Sequence, residues 1–195
     1  MAKKKQPAKK GIGKFSSDGF QLKITLDQSN PPIWRRVIVP ANLALSDLHI
    51  VIQVAMGWTD DHLHQFEIGE VQYAPCTPLG DIDDSGEDES HYRLDEAIGR
   101  KKKFRYEYDF GDSWVHTIVV EKKIPVLEKP IVCTGGEMAC PLEDSGGLWG
   151  YYDQLAAITD KEHPDHEEFA QWMGKFDPEA FDINAVNKSL ARLAR

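Results

Sequence analysis

Apolar and polar residues alternate along three stretches of this chain with the two-residue period of a strand that buries one face. Phe20, Leu22, Ile24 and Leu26 alternate with Gln21, Lys23, Thr25 and Asp27. Asn30-Pro31-Pro32 interrupts the pattern, and a β-rich run from Ile33 to Val39 follows, so the two runs are expected to pair. The third, His62 to Val71, places His62, His64, Phe66 and Ile68 on one side and Leu63, Gln65 and Glu67 on the other. In between, Leu48, Val51, Ile52 and Ala55 recur at helical spacing. That spacing predicts a helix over Asp47 to Met56, capped by Ser46 and stopped by Gly57.

A hairpin is expected over about 103 to 121. Phe104, Tyr106, Tyr108 and Phe110 alternate with Arg105, Glu107 and Asp109, and Gly111-Asp112 is a permitted two-residue turn. With that turn, Asp109 faces Trp114 and Glu107 faces His116. One face then carries Phe104, Tyr106, Tyr108, Phe110, Val115, Thr117 and Val119. The other carries Arg105, Glu107, Asp109, Trp114, His116 and Ile118, where Glu107 would favour a protonated His116. A one-residue slip exchanges the faces.

Helical spacing returns after the Pro125 to Pro130 connector. Leu148, Tyr151, Tyr152, Leu155 and Ile158 fit one helix face, and Pro164 opens a second helix whose stripe is Phe169, Trp172 and Met173. Trp172 and Phe176 read as core. Asp182 caps a last helix with Ile183, Val186, Leu190 and Leu193. The order of elements predicts a single α+β domain over 15–195, a mostly antiparallel twisted sheet with helices packed on one face and a helical C-terminal third.

Charge changes this picture at both ends of one scale. Residues 1–14 hold six lysines and no acid, which reads as a basic disordered tail and leaves 17 basic against 32 acidic residues, net −15, for the rest. A body that acidic is a poor partner for phosphate backbones, so nucleic acid is expected to be touched only weakly, through the lysine tail. Residues 74 to 91 carry six acids without a base and read as an exposed loop lacking the ligand offsets of an EF-hand. Cys76, Cys133 and Cys140 show no zinc-knuckle spacing, and reduced thiols are the default reading. No apolar run approaches the ~20 residues of a membrane span. A cytoplasmic location follows as the expectation.

The segment Cys133 to Leu155 pairs glycines at 135-136 and 146-147 around Pro141, Glu143 and Asp144. It reads as a compact loop whose acids tie down a helix start. Together with Trp34-Arg35-Arg36, the His62 to Phe66 segment HLHQF and the Tyr106 to His116 segment YEYDFGDSWVH, this stretch resembles the plasmid pRiA4b Orf-three-like family over about residues 19 to 182. The resemblance implies an α+β fold and an association with plasmids and mobile elements, and it implies no mechanism. Some members of that family carry an insertion-element passenger label resembling a resolvase. Ser16 and Ser17 have no arginine near them, so a serine recombinase is not supported.

The leading functional expectation is a non-catalytic binding module with an acidic and aromatic cleft. Arg35, His64, Glu107, Asp109, Asp112, Trp114, His116, Glu143 and Asp144 are its candidate lining, and a protein, peptide or small polar ligand its candidate partner. No cofactor is required by that reading. The alternative is a metal-dependent hydrolase holding a divalent ion with ligands drawn from His62, His64, Asp109, Asp112, His116, Glu143 and Asp144. A DNA-associated protein is the third and weakest reading.

Overall fold

The computed structural model describes residues 18–76, 86–125 and 131–193. The expected lysine tail and Asp81, Asp83 and Asp84 of the acidic loop lie outside them. Eight strands form one sheet: β1 Asp18–Leu26, β2 Trp34–Pro40, β3 His64–Ile68, β4 Val71–Ala74, β5 Glu87–Asp88, β6 Lys103–Tyr108, β7 Trp114–Pro125 and β8 Val132–Glu137. Their spatial order is β5-β4-β3-β6-β7-β1-β2-β8, antiparallel throughout except for the short β4 and β5 pair. Among the described residues five α-helices accompany it, α1 Leu45–Met56, α2 Leu94–Ile98, α3 Gly147–Thr159, α4 His166–Met173 and α5 Ile183–Leu193. This is a single-domain α+β fold.

One sheet face is core. Phe20, Leu22, Ile24 and Leu26 of β1 are buried with Val37 and Val39 of β2, Phe66 and Ile68 of β3, and Ile118 of β7, while α1 buries Leu48, Val51, Ile52 and Ala55. The opposite face, with Lys23, Arg36, Glu67, Arg105 and Thr117, stays partly or fully open to solvent. Helix α1 begins at Leu45 with Ala44 as its N-cap and no side-chain cap, so the expected Ser46 cap is corrected. The helix starts two residues earlier than expected: Leu45 N donates to the Tyr92 carbonyl at 3.0 Å, and Leu48 N, which an N-cap at Ser46 would have bonded, donates to the Ala44 carbonyl at 2.9 Å. The Asp182 cap is present: its Oδ1 accepts from Asn184 N at 2.8 Å and Ala185 N at 3.1 Å.

The central hairpin adopts the slipped register. Tyr108 pairs with Trp114, Glu107 with Val115 and Tyr106 with His116. The cause is the turn. Asp109 and Ser113 both take left-handed φ (55° and 54°), Asp109 Oδ1 accepts from Gly111 N at 2.9 Å, and the Asp109 carbonyl accepts from Ser113 N at 2.6 Å. A five-residue aspartate-closed loop replaces the two-residue turn. Trp114, His116 and Ile118 thereby join Phe104, Tyr106 and Tyr108 on the core face, and Phe110 moves to the loop tip with half its surface exposed. Two further corrections concern elements. Cys133 to Gly136, read as loop, belongs to edge strand β8, and Trp172, read as core, is nearly half exposed on α4.

Candidate functional site

The slip removes two expected cleft residues. His116 is 0% exposed, in a cross-strand row between Leu26 and Tyr106, with the Trp58 ring edge-on at 5.3 Å. Neither of its ring nitrogens makes a hydrogen bond, and the Trp114 Nε1 is likewise buried without one. Burial lowers the His116 pKa to about 4, against the opposing pull of the Trp114 and Tyr106 backbone. The expected support of a charged His116 by Glu107 is therefore corrected. Glu107 lies on the open face, accepting from Gln65 Nε2 at 3.0 Å and Ser113 Oγ at 2.8 Å.

Arg35 and Arg36 point to opposite faces, as alternation on a strand requires. Arg36 pairs with Glu121 at 2.7 Å on the open side. Arg35 is buried and meets no carboxylate of the cleft; it donates to the carbonyls of Ala55 (2.9 Å), Trp34 (2.8 Å) and Glu137 (2.8 Å) and stacks on Phe181 at 4.4 Å. Burial lowers its pKa from the usual arginine value. A Cβ at Gly136 would stand 2.7 Å from Phe181 and 2.9 Å from Arg35, so this glycine is what lets β8 approach the stacked pair.

His62 and His64 part company. His64 is buried, its Nε2 2.9 Å from Glu89 Oε2, and its ring lies flat against His49 with centroids 3.4 Å apart and planes 4° apart. His49 lies 2.7 Å from Asp60 Oδ1 and 2.8 Å from the Tyr106 hydroxyl. Its pKa falls to about 4 because of burial and the His64 charge, with Asp60 opposing. The ligand atoms of His49, Asp60 and His64 lie within 4.8 Å of one another, but the parallel imidazole planes aim their lone pairs along separate lines, so the stacked pair serves as a buried hydrogen-bond network as it stands. Sequence reasoning missed it: His49 sits off the apolar stripe of α1, and Glu89 is in the stretch read as exposed.

His62, immediately before β3, reaches a different neighbourhood. Its Nε2 lies 3.2 Å from Asp144 Oδ1, 3.7 Å from Asp109 Oδ2 and 4.0 Å from Glu143 Oε2. That nitrogen is buried and has no hydrogen-bond partner. Two of the three carboxylates are fixed from behind. The Asp109 Oδ1 is occupied by the Gly111 amide, which leaves Oδ2 toward His62. Glu143 Oε1 accepts from Thr59 N at 2.9 Å and from the Tyr108 hydroxyl at 3.1 Å. Burial, with Glu143 among the lesser causes, raises the Tyr108 pKa, so this phenol stays a donor. Asp144 takes a left-handed φ of 57°, and its side chain is 76% exposed. Strained φ at both Asp109 and Asp144 is the kind of backbone feature that clusters at functional sites.

Asp112 ties the two motifs together. Its Oδ2 accepts from Gly146 N at 3.0 Å, at the start of α3, and a Cβ on Gly147 would stand 2.7 Å from the Asp112 carbonyl. Asp112 thus performs the helix-start role expected of Glu143 and Asp144, which frees those two acids to face His62. The structure brings together His62, Asp109, Glu143 and Asp144, with Asp112 as their brace, and leaves Arg35, His64, Glu107, Trp114 and His116 outside. Thr59, Asp61 and Tyr108 were missed. Tyr108 looked like a core ring, and nothing local marks the Thr59–Asp61 turn, although Asp61 N donates to the Tyr108 hydroxyl at 3.0 Å.

A groove of about 520 Å³ opens beside Asp144, lined also by Gln154, Glu168, Phe169, Gln171 and Trp172. No helix among the described residues is long and apolar enough to cross a membrane. Cys76, Cys133 and Cys140 are unpaired.

Two relatives match the chain over most of its length. The uncharacterized protein y4hQ of Sinorhizobium fredii is 38% identical over 182 residues, covering 89% of this chain and 91% of that relative. The crystal structure of a protein of unknown function, MM3350 from Methanosarcina mazei Go1, superimposes with a TM-score of 0.79 at 36% identity, covering 86% of this chain and 96% of that one. No function is established for either relative. The family described as "Plasmid pRiA4b ORF-3-like protein" matches residues 18–185, with the slipped hairpin, the glycine-rich loop and the three acids and the imidazole of the His62 cluster inside the matched span, and the chain belongs to that family.

Proposed function

We propose that this protein binds one divalent cation through His62, Asp109, Glu143 and Asp144, and uses it to hold and activate a ligand at the mouth between the hairpin loop and the glycine-rich loop. The observation that carries this reading is the His62 Nε2, buried and without a hydrogen bond, with three carboxylate oxygens at 3.2 to 4.0 Å. Donor atoms that share a small ion at about 2.1 Å stand roughly 3.0–3.5 Å apart. Asp144 stands at that spacing from His62, Asp109 just beyond it at 3.7 Å, and these three residues form the compact set, with Glu143 at its rim at 4.0 Å.

One imidazole with carboxylates suits Zn²⁺ or Mn²⁺ better than an oxygen-only ion such as Ca²⁺. The exposed Asp144 leaves an open side, and an ion with an open position activates water. Metal-assisted hydrolysis is the reaction class such a centre fits. The family name supports a plasmid or mobile-element setting, and the unpaired thiols support a reducing, cytoplasmic compartment.

Titration calorimetry of metal-stripped, untagged protein with Mn²⁺ and Zn²⁺ tests the site. One equivalent is expected to bind, and Asp109→Asn and His62→Ala are each expected to weaken it at least about tenfold. Less than a tenth of an equivalent bound, or unchanged affinity in both variants, would overturn the reading.

A further inference from the structure

Apart from Asp144, which it shares, the groove beside the cation cluster is built from groups that the cluster does not use. Helix α4 supplies Glu168 and Trp172 from one face, four residues apart, with Phe169 and Gln171 beside them. Trp172 is 45% exposed, an unusual state for an indole, which buries well when it has somewhere to go. From α3 comes Gln154, only 8% exposed. Its Nε2 is committed to the Ser145 carbonyl at 3.0 Å, so its orientation is set, and its Oε1 has no partner. Asp144 and Glu168 add two carboxylates, and among the described residues no lysine or arginine lines the groove.

Gln171 apart, whose amide can donate or accept, the polar groups left free in the groove are acceptors, and the apolar features are flat rings. A ligand that satisfies both must be cationic, rich in N–H donors and planar. We propose that this groove binds a guanidinium group, stacked on Trp172 and donating to Asp144, Glu168 and Gln154. A guanidinium offers five N–H donors in one plane and stacks on indole faces, whereas an ammonium offers charge without a plane. The net −15 of the chain beyond its first fourteen residues favours the same sign of ligand. The guanidinium belongs either to an arginine in a partner segment or to a small arginine-like compound, and the two differ in what flanks it.

Two-dimensional NMR of the indole N–H signals, in the presence of a chelator, tests this on the full chain without depending on the cation site. The Trp172 signal is identified by its loss in Trp172→Ala. Nα-acetyl-arginine amide is expected to shift it saturably, with affinity in the millimolar range or better. The neutral isostere Nα-acetyl-citrulline amide and the lysine analogue are each expected to bind at least about fivefold more weakly. Glu168→Gln, at an exposed position, is expected to weaken the arginine amide about three- to fivefold. Tighter binding of Gly-Arg-Gly than of the blocked amino acid would assign a partner segment, and equal binding a small guanidinium compound; both support the groove. Equal binding of arginine and citrulline analogues, saturation by neutral sugars in their place, or no shift at about 20 mM would overturn it.

Discussion

His116 shows how a single side chain can be misassigned and still matter. It is enclosed by Trp58, Tyr106 and Leu26, with neither ring nitrogen hydrogen-bonded and a pKa pulled down to about 4 by burial. The unfolded chain takes up this proton near pH 6.5, while the folded chain resists until about 4. Between those values the unfolded state binds more protons, so stability is full above pH 6.5 and falls as pH drops through the window. The loss from this residue is on the order of 3 kcal/mol. His49, lowered in the same direction, adds to it. Replacing a buried polar group that has no partner by an apolar one of similar size is close to neutral or stabilising. His116→Leu is accordingly expected to leave stability at pH 7.5 within about 1 kcal/mol and to remove roughly half the slope between pH 6.5 and 4. Urea unfolding across that range checks it, and an unchanged slope would mean that other groups govern the acid limb.

At the scale of elements, two glycines that look alike in the sequence differ in consequence. Gly57 ends α1 with φ 106° and open space where a Cβ would go, so Gly57→Ala costs only the left-handed conformation, about 1 kcal/mol. Gly150, inside α3, would place a Cβ 2.1 Å from the Ser145 carbonyl, the same carbonyl that receives Gln154. No rotamer relieves a backbone clash. Gly150→Ala is expected to cost about 3 kcal/mol or more and to loosen the Asp144 side of the site, read as a large drop in the thermal midpoint beside a small one for Gly57→Ala. The alternating strands β1 to β3, helix α1 and the Asp182 cap of α5 were legible because each depends on neighbours close in sequence. Strand β8 was not: Gly135 and Gly136 look like loop residues until Trp34, Arg35 and Phe181 are seen packing against them. The hairpin register hung on whether Asp109 closes the turn with its own carboxylate, which alternation cannot report.

For the whole molecule, the cation reading and the charge balance make linked predictions. A ligand that binds only the folded state stabilises it by mass action, about 2.7 kcal/mol at a hundredfold excess over Kd. Mn²⁺ or Zn²⁺ is therefore expected to raise the unfolding midpoint of the native protein in a concentration-dependent way, and to raise that of Asp109→Asn clearly less at the same metal concentration. Equal shifts in both would place the effect elsewhere on the acidic surface. Screening acts separately. Outside the first fourteen residues the chain is at net −15, and raising sodium chloride from about 0.05 to 0.5 M is expected to stabilise both proteins equally by weakening self-repulsion.

Periodicity by itself determined strands β1 to β3, the presence of the β6–β7 hairpin and the helices α1, α3, α4 and α5, that they form an α+β domain, and that two motifs rich in acids and glycine lie within it, because these follow from local alternation, caps and composition. Which of the acids face one another was decided only in three dimensions. A one-residue slip sends Trp114 and His116 into the core, Asp112 takes over the helix start, and Asp109, Glu143 and Asp144 are left turned toward His62. The physical reason is that a side chain's face depends on register, and register is set by a loop whose hydrogen bonds join residues to distant backbone.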